Sequence, residues 1–212
     1  MEESKIVDIV TDLSVEYSDL IINSFLKDGL LKDIPIIGTG INILKISTNI
    51  SDLFLLRKIK LFMNSLNIIA QSDIDKFKEK LSNDNFREKV CIKLISIIDK
   101  LDEDIKIEWI AKIYLEYLDK KIDKNFFFRI ITIINNTFVN DILELRKLEV
   151  NSEILSNNKK VKTYVLQQLF SNGLLDNYGF DGGTADVNGD CGIIYNLNEY
   201  GDFIYKKILL YK

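Results

Sequence analysis

The chain has 212 residues, of which 47% are hydrophobic, so it can bury a substantial core as one large domain or two small ones. Its net charge of −4 arises from 28 basic and 32 acidic residues, which gives no global attraction to nucleic acid. The sequence contains no histidine and two cysteines, which removes the usual groups for acid–base catalysis and transition-metal binding. We therefore expect a non-enzyme with no metal and no cofactor.

The composition also suggests where the protein works. Two cysteines, and acidic Glu2 and Glu3 in place of a cationic leader, favour a reducing cytoplasm. The longest uncharged apolar run, Ile34–Leu44, is shorter than the roughly 20 residues that cross a bilayer. Abundant Lys, Ile and Asn suggest an AT-rich genome, as in many bacteria and their phages.

Helical periodicity dominates the first two thirds of the chain. Apolar residues at three- and four-residue spacing predict helices over residues 6–26, 51–69, 84–101, 104–120 and 123–138. The short links between the later helices favour antiparallel neighbours. We expect residues 1–140 to form a multi-helix bundle.

The character of the sequence changes after Val150. An Asn/Ser-rich linker is predicted at about 150–158, followed by a helix over 160–175. Strand-like runs at 177–180 and 193–197 flank a Gly/Asp-rich turn, which is typical of a hairpin. A last helix is predicted over 198–210, so that residues 141–212 form a second region.

Two segments of this region carry a family resemblance. Val161–Leu175 reads Val-x-x-Tyr-Val-x-x-x-Leu-Phe-x-x-Gly-Leu-Leu, and Tyr195–Asp202 reads Tyr-Asn-Leu-Asn-Glu-Tyr-Gly-Asp. The pattern resembles the end of winged-helix modules, where a recognition helix ends at Gly-Leu and a Tyr-x-Leu-Thr-x-x-Gly stretch follows the wing. Asn198 stands where that pattern has a capping threonine. The expected fold is mainly α, a helical bundle followed by a winged-helix-like region with one small β-hairpin.

The resemblance implies a contact with DNA, but the helix and the hairpin carry charges of opposite sign. Lys159, Lys160 and Lys162 near the start of the helix could neutralise phosphates. The hairpin instead carries no basic residue and four aspartates, Asp176, Asp181, Asp186 and Asp190. We therefore prefer contact with another protein and keep a DNA-binding regulator as the alternative.

The hairpin turn also has a superficial likeness to a calcium loop. Asp186, Asn188 and Asp190 place oxygen atoms at alternate positions. Cys191 then stands where such a loop needs glycine, and Leu197 where it needs a bidentate glutamate. A polar hairpin tip accounts for the same residues without a metal.

A membrane-surface role is a further hypothesis. Ile36 and Ile37 lie in an apolar segment, and Arg57, Lys58 and Lys60 form a basic cluster in the next predicted helix. Such a pair of helices could lie on a bilayer. Lysines that extend from a buried hairpin explain the same pattern.

The middle of the chain has a looser resemblance. Ile34–Gly38, Lys45, Ile50-x-Asp52 and Arg57-Lys58 together are similar to a group of small, largely uncharacterised helical bacterial proteins found near mobile or defence-related genes. This implies a setting rather than a mechanism. We expect an accessory, inhibitor or sensor component in phage–host conflict that binds another protein. We keep a homodimer as an alternative, because apolar helix faces often associate with each other.

Overall fold

The computed structural model describes residues 50–70, 84–148, 153–157, 160–182 and 191–210. Within these ranges the chain forms seven α-helices and one three-stranded antiparallel sheet. The mainly helical fold expected from the sequence is therefore confirmed. The helix predicted over 6–26 and the tip of the predicted hairpin lie outside the described residues.

The chain divides into two compact units, residues 1–119 and 120–212. The boundary expected from the sequence was near residue 140, so the difference concerns the helix over 124–136. The Phe126 ring of that helix lies 4.9 Å from the ring of Tyr200 and 5.2 Å from that of Phe203. These aromatic contacts join the helix to the C-terminal elements. The contacting residues lie far apart in the sequence, so the spacing of apolar residues does not predict their contacts.

The first unit contains three described helices, α1 (Ile50–Ala70), α2 (Asp84–Lys100) and α3 (Asp104–Leu118). Helix α1 packs against both of the others, and the rings of Phe62 and Tyr114 lie 5.8 Å apart. The helical spacing of apolar residues places one face of each helix in the core. Its fully buried side chains include Phe62, Met63, Leu66, Leu94, Ile98, Ile107 and Ile110.

The second unit begins with a helix whose cap is set by the sequence. Asp123 Oδ1 accepts a hydrogen bond from the Phe126 N–H at 2.8 Å, which satisfies one of the free donors at the helix start. The helices of this unit are α4 (Lys124–Asn136), α5 (Val139–Glu144), α6 (Thr163–Ser171) and α7 (Glu199–Ile204), with a 3-10 turn at Leu145–Lys147 and a π-helical turn at Tyr205–Leu209.

The sheet lies in the second unit and has the order β1-β3-β2. Its strands are β1 (Ile154–Leu155), β2 (Leu175–Asp181) and β3 (Gly192–Leu197). The hairpin strands expected at 177–180 and 193–197 are present and slightly longer.

Strand β1 lies inside the segment predicted as a linker. Ile154 pairs with Tyr195 and Leu155 with Ile194, so a two-residue strand depends on partners about forty positions away in the chain. Short strands of this kind carry no periodicity of their own.

Two helices also end earlier than predicted. Helix α6 stops at Ser171 because Gly173 adopts φ +86° and the Leu174 N–H donates to the Leu169 carbonyl at 2.8 Å. Helix α7 is followed directly by the π-helical turn.

No single helix among the described residues combines the length and apolar character needed to cross a membrane. The segments Lys124–Asn136 and Val139–Lys147 together have the length and apolar composition of a membrane span, but they are bent by 110° relative to each other. Much of this pair is buried within the second unit: Phe127, Phe128, Ile130, Ile131, Ile133, Ile134, Val139, Ile142 and Leu145.

Candidate interaction surface

Helix α6 buries a narrow apolar stripe and exposes the rest of its circumference. Val165, Leu166 and Leu169 are buried. Near its start, the Thr163 hydroxyl donates to the Ser156 carbonyl at 2.6 Å, which fixes the helix against the residue after β1. The helix therefore presents a broad outer surface from a firmly held position.

The side chain of Asn198 joins the start of α7 to the turn that follows α6. Asn198 Oδ1 accepts from the N–H groups of Tyr200 and Gly201, and its Nδ2 donates to the Gly173 carbonyl at 2.9 Å. The capping role expected of Asn198 is confirmed. Asn198 thus links the end of α6 to the start of α7.

Strand β2 contains a β-bulge. Asn177 pairs with Tyr195 and Gly179 with Ile194, so Tyr178 is an extra residue without a partner on β3. Gly179 has φ +111°, a backbone conformation that favours glycine, and its N–H donates to Asn177 Oδ1 at 2.8 Å. The bulge transfers Phe180 to the sheet face that carries Tyr195.

Four aromatic side chains are exposed on α6 and β2, which contact each other. Their exposed fractions are 58% for Tyr164, 40% for Phe170, 65% for Tyr178 and 69% for Phe180. Phe170 is partly held, since its ring lies 5.7 Å from that of buried Tyr195. We call these four residues the aromatic surface. Sequence reasoning assigned them to a helix and a strand but did not identify them as a site, because exposure depends on packing.

The structure describes two of the three lysines that were predicted to contact a partner near the start of α6. Lys160 and Lys162 are exposed, and Lys162 Nζ lies 5.7 Å from the centroid of the Tyr164 ring. Lys159 lies outside the described residues. The structure therefore places Lys162 beside Tyr164, one of the four exposed aromatic residues.

The acidic residues of the hairpin are described in part. Asp176 and Asp181 are exposed on β2, whereas Asp186 and Asp190 lie outside the described residues. Within the described ranges, no group of three or more His, Cys, Asp or Glu side chains could hold a metal ion.

Two of the basic residues assigned to a membrane contact are engaged within the first unit. Arg57 forms a bidentate ion pair with Asp104. The hydrogen bonds to Asp104, and the negative charge of that carboxylate, raise the pKa of Arg57. The Lys58 ammonium donates to the Asp99 carbonyl. Lys60 is half-buried, and Ile36 and Ile37 lie outside the described residues. Arg57 and Lys58 thus connect α1 to the start of α3 and the end of α2.

Among the described residues of the first unit, Lys106 is a buried cation. The Lys106 side chain is 3% exposed and its ammonium donates to Asp102 Oδ1 at 2.9 Å. This hydrogen bond is the main reason that the pKa of Asp102 is lowered. A buried ammonium group needs a partner of opposite charge, and Asp102, four residues earlier, supplies it. We therefore assign Lys106 a structural role.

No family model, curated protein or solved structure matches this chain.

Proposed function

We propose that this chain is a non-enzymatic component that binds another protein through the aromatic surface of residues 120–212. The observation that carries the proposal is the exposure of Tyr164, Tyr178 and Phe180, since each of these residues is more than half exposed to solvent. Burying such a ring is worth about 1.5–3 kcal/mol. Tyr and Phe are enriched at the centres of protein interfaces because they supply large, rigid contact areas.

The proposed architecture of this unit is a winged-helix-like one, with α6 in the position of the recognition helix and β2–β3 as the wing. Three observations support it: the sheet order β1-β3-β2, the end of α6 at Ser171 shortly before Gly173-Leu174, and the cap of α7 by Asn198. The 1–119 unit would be the helical bundle that accompanies it.

The proposed setting is phage–host conflict, in which the protein acts as an accessory, inhibitor or sensor in the cytoplasm. Its support is the composition and the resemblance of the segment around Ile34–Gly38. Phage challenge of host cells tests the setting. Cells that carry the wild-type chain and cells that carry Tyr178→Ala with Phe180→Ala should differ in infection efficiency.

The interaction is tested by quantitative capture of the tagged full chain from its host after cross-linking. A partner should be enriched by the wild-type protein and lost with Tyr178→Ala and Phe180→Ala. Phe54→Ala is a matched control, since Phe54 is 60% exposed on α1 of the first unit. Recovery of no protein above a tag-only control, or equal recovery by all variants, would contradict the proposal.

A DNA-binding regulator is the second candidate, favoured by the outer side of α6. Lys160, Lys162, Gln167 and Gln168 are all exposed there, and such side chains contact phosphates and base edges. The aspartates of the adjacent hairpin oppose this function because they repel a polyanion.

Fluorescence anisotropy with duplex DNA at low and moderate salt separates the two candidates. A DNA-binding protein should lose affinity steeply with salt, and about tenfold or more when Lys159, Lys160 and Lys162 are changed to Glu. Changing three exposed lysines of the first part of the chain and its boundary, Lys93, Lys100 and Lys120, to Glu alters the net charge by the same amount and serves as the control. Retention of no duplex at low salt would exclude this function.

A further inference from the structure

Two uncharged segments of the chain meet in the second unit. In a chain whose residues are 28% charged, residues 130–140 and residues 163–175 contain no Asp, Glu, Lys or Arg. The first segment covers the end of α4 and the start of α5, and the second covers α6 and the turn after it. Asn172 Nδ2 donates to the Asn136 carbonyl at 3.5 Å, and α5 contacts α6. The fold therefore joins both segments into one uncharged surface.

The exposed groups of this surface are amides and a hydroxyl around one aromatic ring. Among the large hydrophobic residues that the structure describes, Phe138 is the most exposed, at 73%. Asn136 and Asn140 are exposed on either side of it in the sequence, and Asp141, which follows, is half-buried. Gln168 and Ser171 are exposed near the end of α6, and Asn172 is half-buried. We call the following six residues the amide surface: Asn136, Phe138, Asn140, Gln168, Ser171 and Asn172.

Neither local structure nor packing accounts for a phenylalanine at position 138. Phe138 is the N-cap residue of α5, with φ −60° and ψ 136°, and its side chain makes no capping hydrogen bond. Asn, Asp, Ser and Thr are preferred at this position because their side chains accept from free N–H groups of the first turn. The ring also lies outside the core. Burial against another molecule gives the ring a role that the isolated chain does not.

A surface of this composition is complementary to itself. In a dimer with a two-fold axis the same patch of both copies meets, so each group faces members of its own set. Amides and hydroxyls both donate and accept hydrogen bonds, so two of them can satisfy each other. Carboxylates only accept and ammonium groups only donate, so like charges cannot pair in this way. The chain has a net charge of −4, and two copies repel each other least where the contact is uncharged.

We infer that the chain forms a homodimer through the amide surface, in which Phe138 of each copy is buried against the other copy. The partner at this surface is thus a second copy of the chain. The inference uses residues other than those of the aromatic surface, so it does not depend on the function proposed above.

Sedimentation equilibrium of the full chain over a range of concentrations tests the inference. Phe138→Asn removes the ring and supplies a side chain that can cap α5. Its dissociation constant should rise about tenfold or more, because each dimer loses two buried rings. At a dilution where both proteins are monomeric, its Tm should equal or exceed that of the wild type, which separates loss of the dimer from a folding defect. Phe54→Asn, which removes a 60% exposed ring from α1, is the matched control and should leave the dissociation constant unchanged.

A second variant adds a charge to the surface without harming the helix. Asn140 is the second residue of α5, and a carboxylate near a helix N-terminus is favourable. Asn140→Asp should therefore keep the monomer folded. In the dimer it brings two like charges into one contact, so the dissociation constant should rise and added salt should partly reverse the effect. Asn64→Asp makes the same charge change at an exposed position of α1 and serves as its control.

A wild-type chain that sediments as a monomer at every accessible concentration overturns the inference. A dimer that tolerates Phe138→Asn or Asn140→Asp overturns it as well, as does a dimer that the control variants weaken equally. Loss of the dimer with Tyr178→Ala and Phe180→Ala, but not with Phe138→Asn, would assign self-association to the aromatic surface instead. A monomeric chain that captures a different host protein through Phe138 would show that the amide surface binds that protein and not a second copy.

Discussion

Asn198 connects three parts of the second unit through a single side-chain amide. Its oxygen caps α7, its nitrogen donates to the Gly173 carbonyl, and the same nitrogen lies 3.5 Å from Asp176 Oδ1. Loss of an N-cap side chain costs about 1–2 kcal/mol, and here a donor to a second element is lost with it.

We expect Asn198→Ala to lower the free energy of unfolding by about 1–2 kcal/mol, measured by denaturant titration. Asn198→Thr keeps a capping oxygen but loses the donor to Gly173, so it should cost less than Asn198→Ala. Asn64→Ala, at an exposed position of α1, serves as a control without loss. An Asn198→Ala protein as stable as the wild type would show that the cap is dispensable.

Gly201 permits the close approach of α7 to the end of α6. A side-chain carbon at this position would lie 2.2 Å from the Leu174 carbonyl oxygen and 2.8 Å from Leu197 Cδ2. We expect Gly201→Ala to destabilise the protein by about 1–3 kcal/mol through overpacking, seen as a lower Tm. Gly182→Ala is the matched control because nothing lies within 4 Å of its added carbon. Equal Tm values for both variants would contradict this packing.

Asp141 introduces a pH dependence. Burial, and then the charge of Glu144, raises the pKa of Asp141 above its ordinary value. The folded state therefore holds this proton more tightly than the unfolded chain, so the ionised carboxylate opposes folding at neutral pH. Asp141→Asn should increase the free energy of unfolding at neutral pH. The gain should shrink as the pH falls from the raised folded-state pKa towards the ordinary value of 3.8, and it should be lost below that value. A gain that is independent of pH in urea titrations would refute this origin.

Among the elements, strand β1 depends on one buried serine. Ser156 N–H donates to the Ile193 carbonyl at 2.8 Å, and Ser156 Oγ accepts from the Ile193 N–H at 2.9 Å. Ser156 therefore makes both of these hydrogen bonds with the backbone of Ile193 on β3. The Ser156 carbonyl in turn accepts from Thr163, so β1, β3 and α6 are tied together at this point.

We expect Ser156→Ala to cost about 1–3 kcal/mol, because it leaves the Ile193 N–H without this acceptor. Hydrogen exchange should accelerate at Ile193 and at the paired residues of β1, and remain unchanged within α1–α3. Ser171→Ala, at the exposed end of α6, is the control. Unchanged exchange at Ile193 would show that the hydroxyl does not hold the strand.

At the scale of the whole molecule, each unit has its own buried core. The second unit buries Phe127, Ile130, Leu166 and Tyr195 among residues 120–212. Because a domain with its own core can in principle fold alone, we expect this unit to fold without the first. Residues 120–212 expressed alone should give dispersed amide resonances and a cooperative thermal transition. A collapsed amide spectrum would show that this unit needs residues 1–119.

The helices were predictable because their signals are local. Apolar spacing indicated α1 to α4 within a few residues of their observed ends. The winged-helix resemblance placed Asn198 at the position of a capping threonine, and Asn198 caps α7. The hairpin was also predictable, since Gly/Asp-rich turns between strand-like runs carry their own signal. The aromatic surface was not, because the same Phe and Tyr residues could as well have been buried.

The amino-acid sequence by itself determined the helical class, the acidic hairpin and the lack of histidine chemistry, since these depend on residue type and near-neighbour spacing. The tertiary structure decided the third strand, the boundary between the two units and the side of the sheet on which Phe180 lies. Each of these follows from contacts between distant residues: β1 with β3, Phe126 with Tyr200, and the bulge at Tyr178 against Ile194. The physical reason is that pairing and packing free energies arise between segments that meet only in the folded chain.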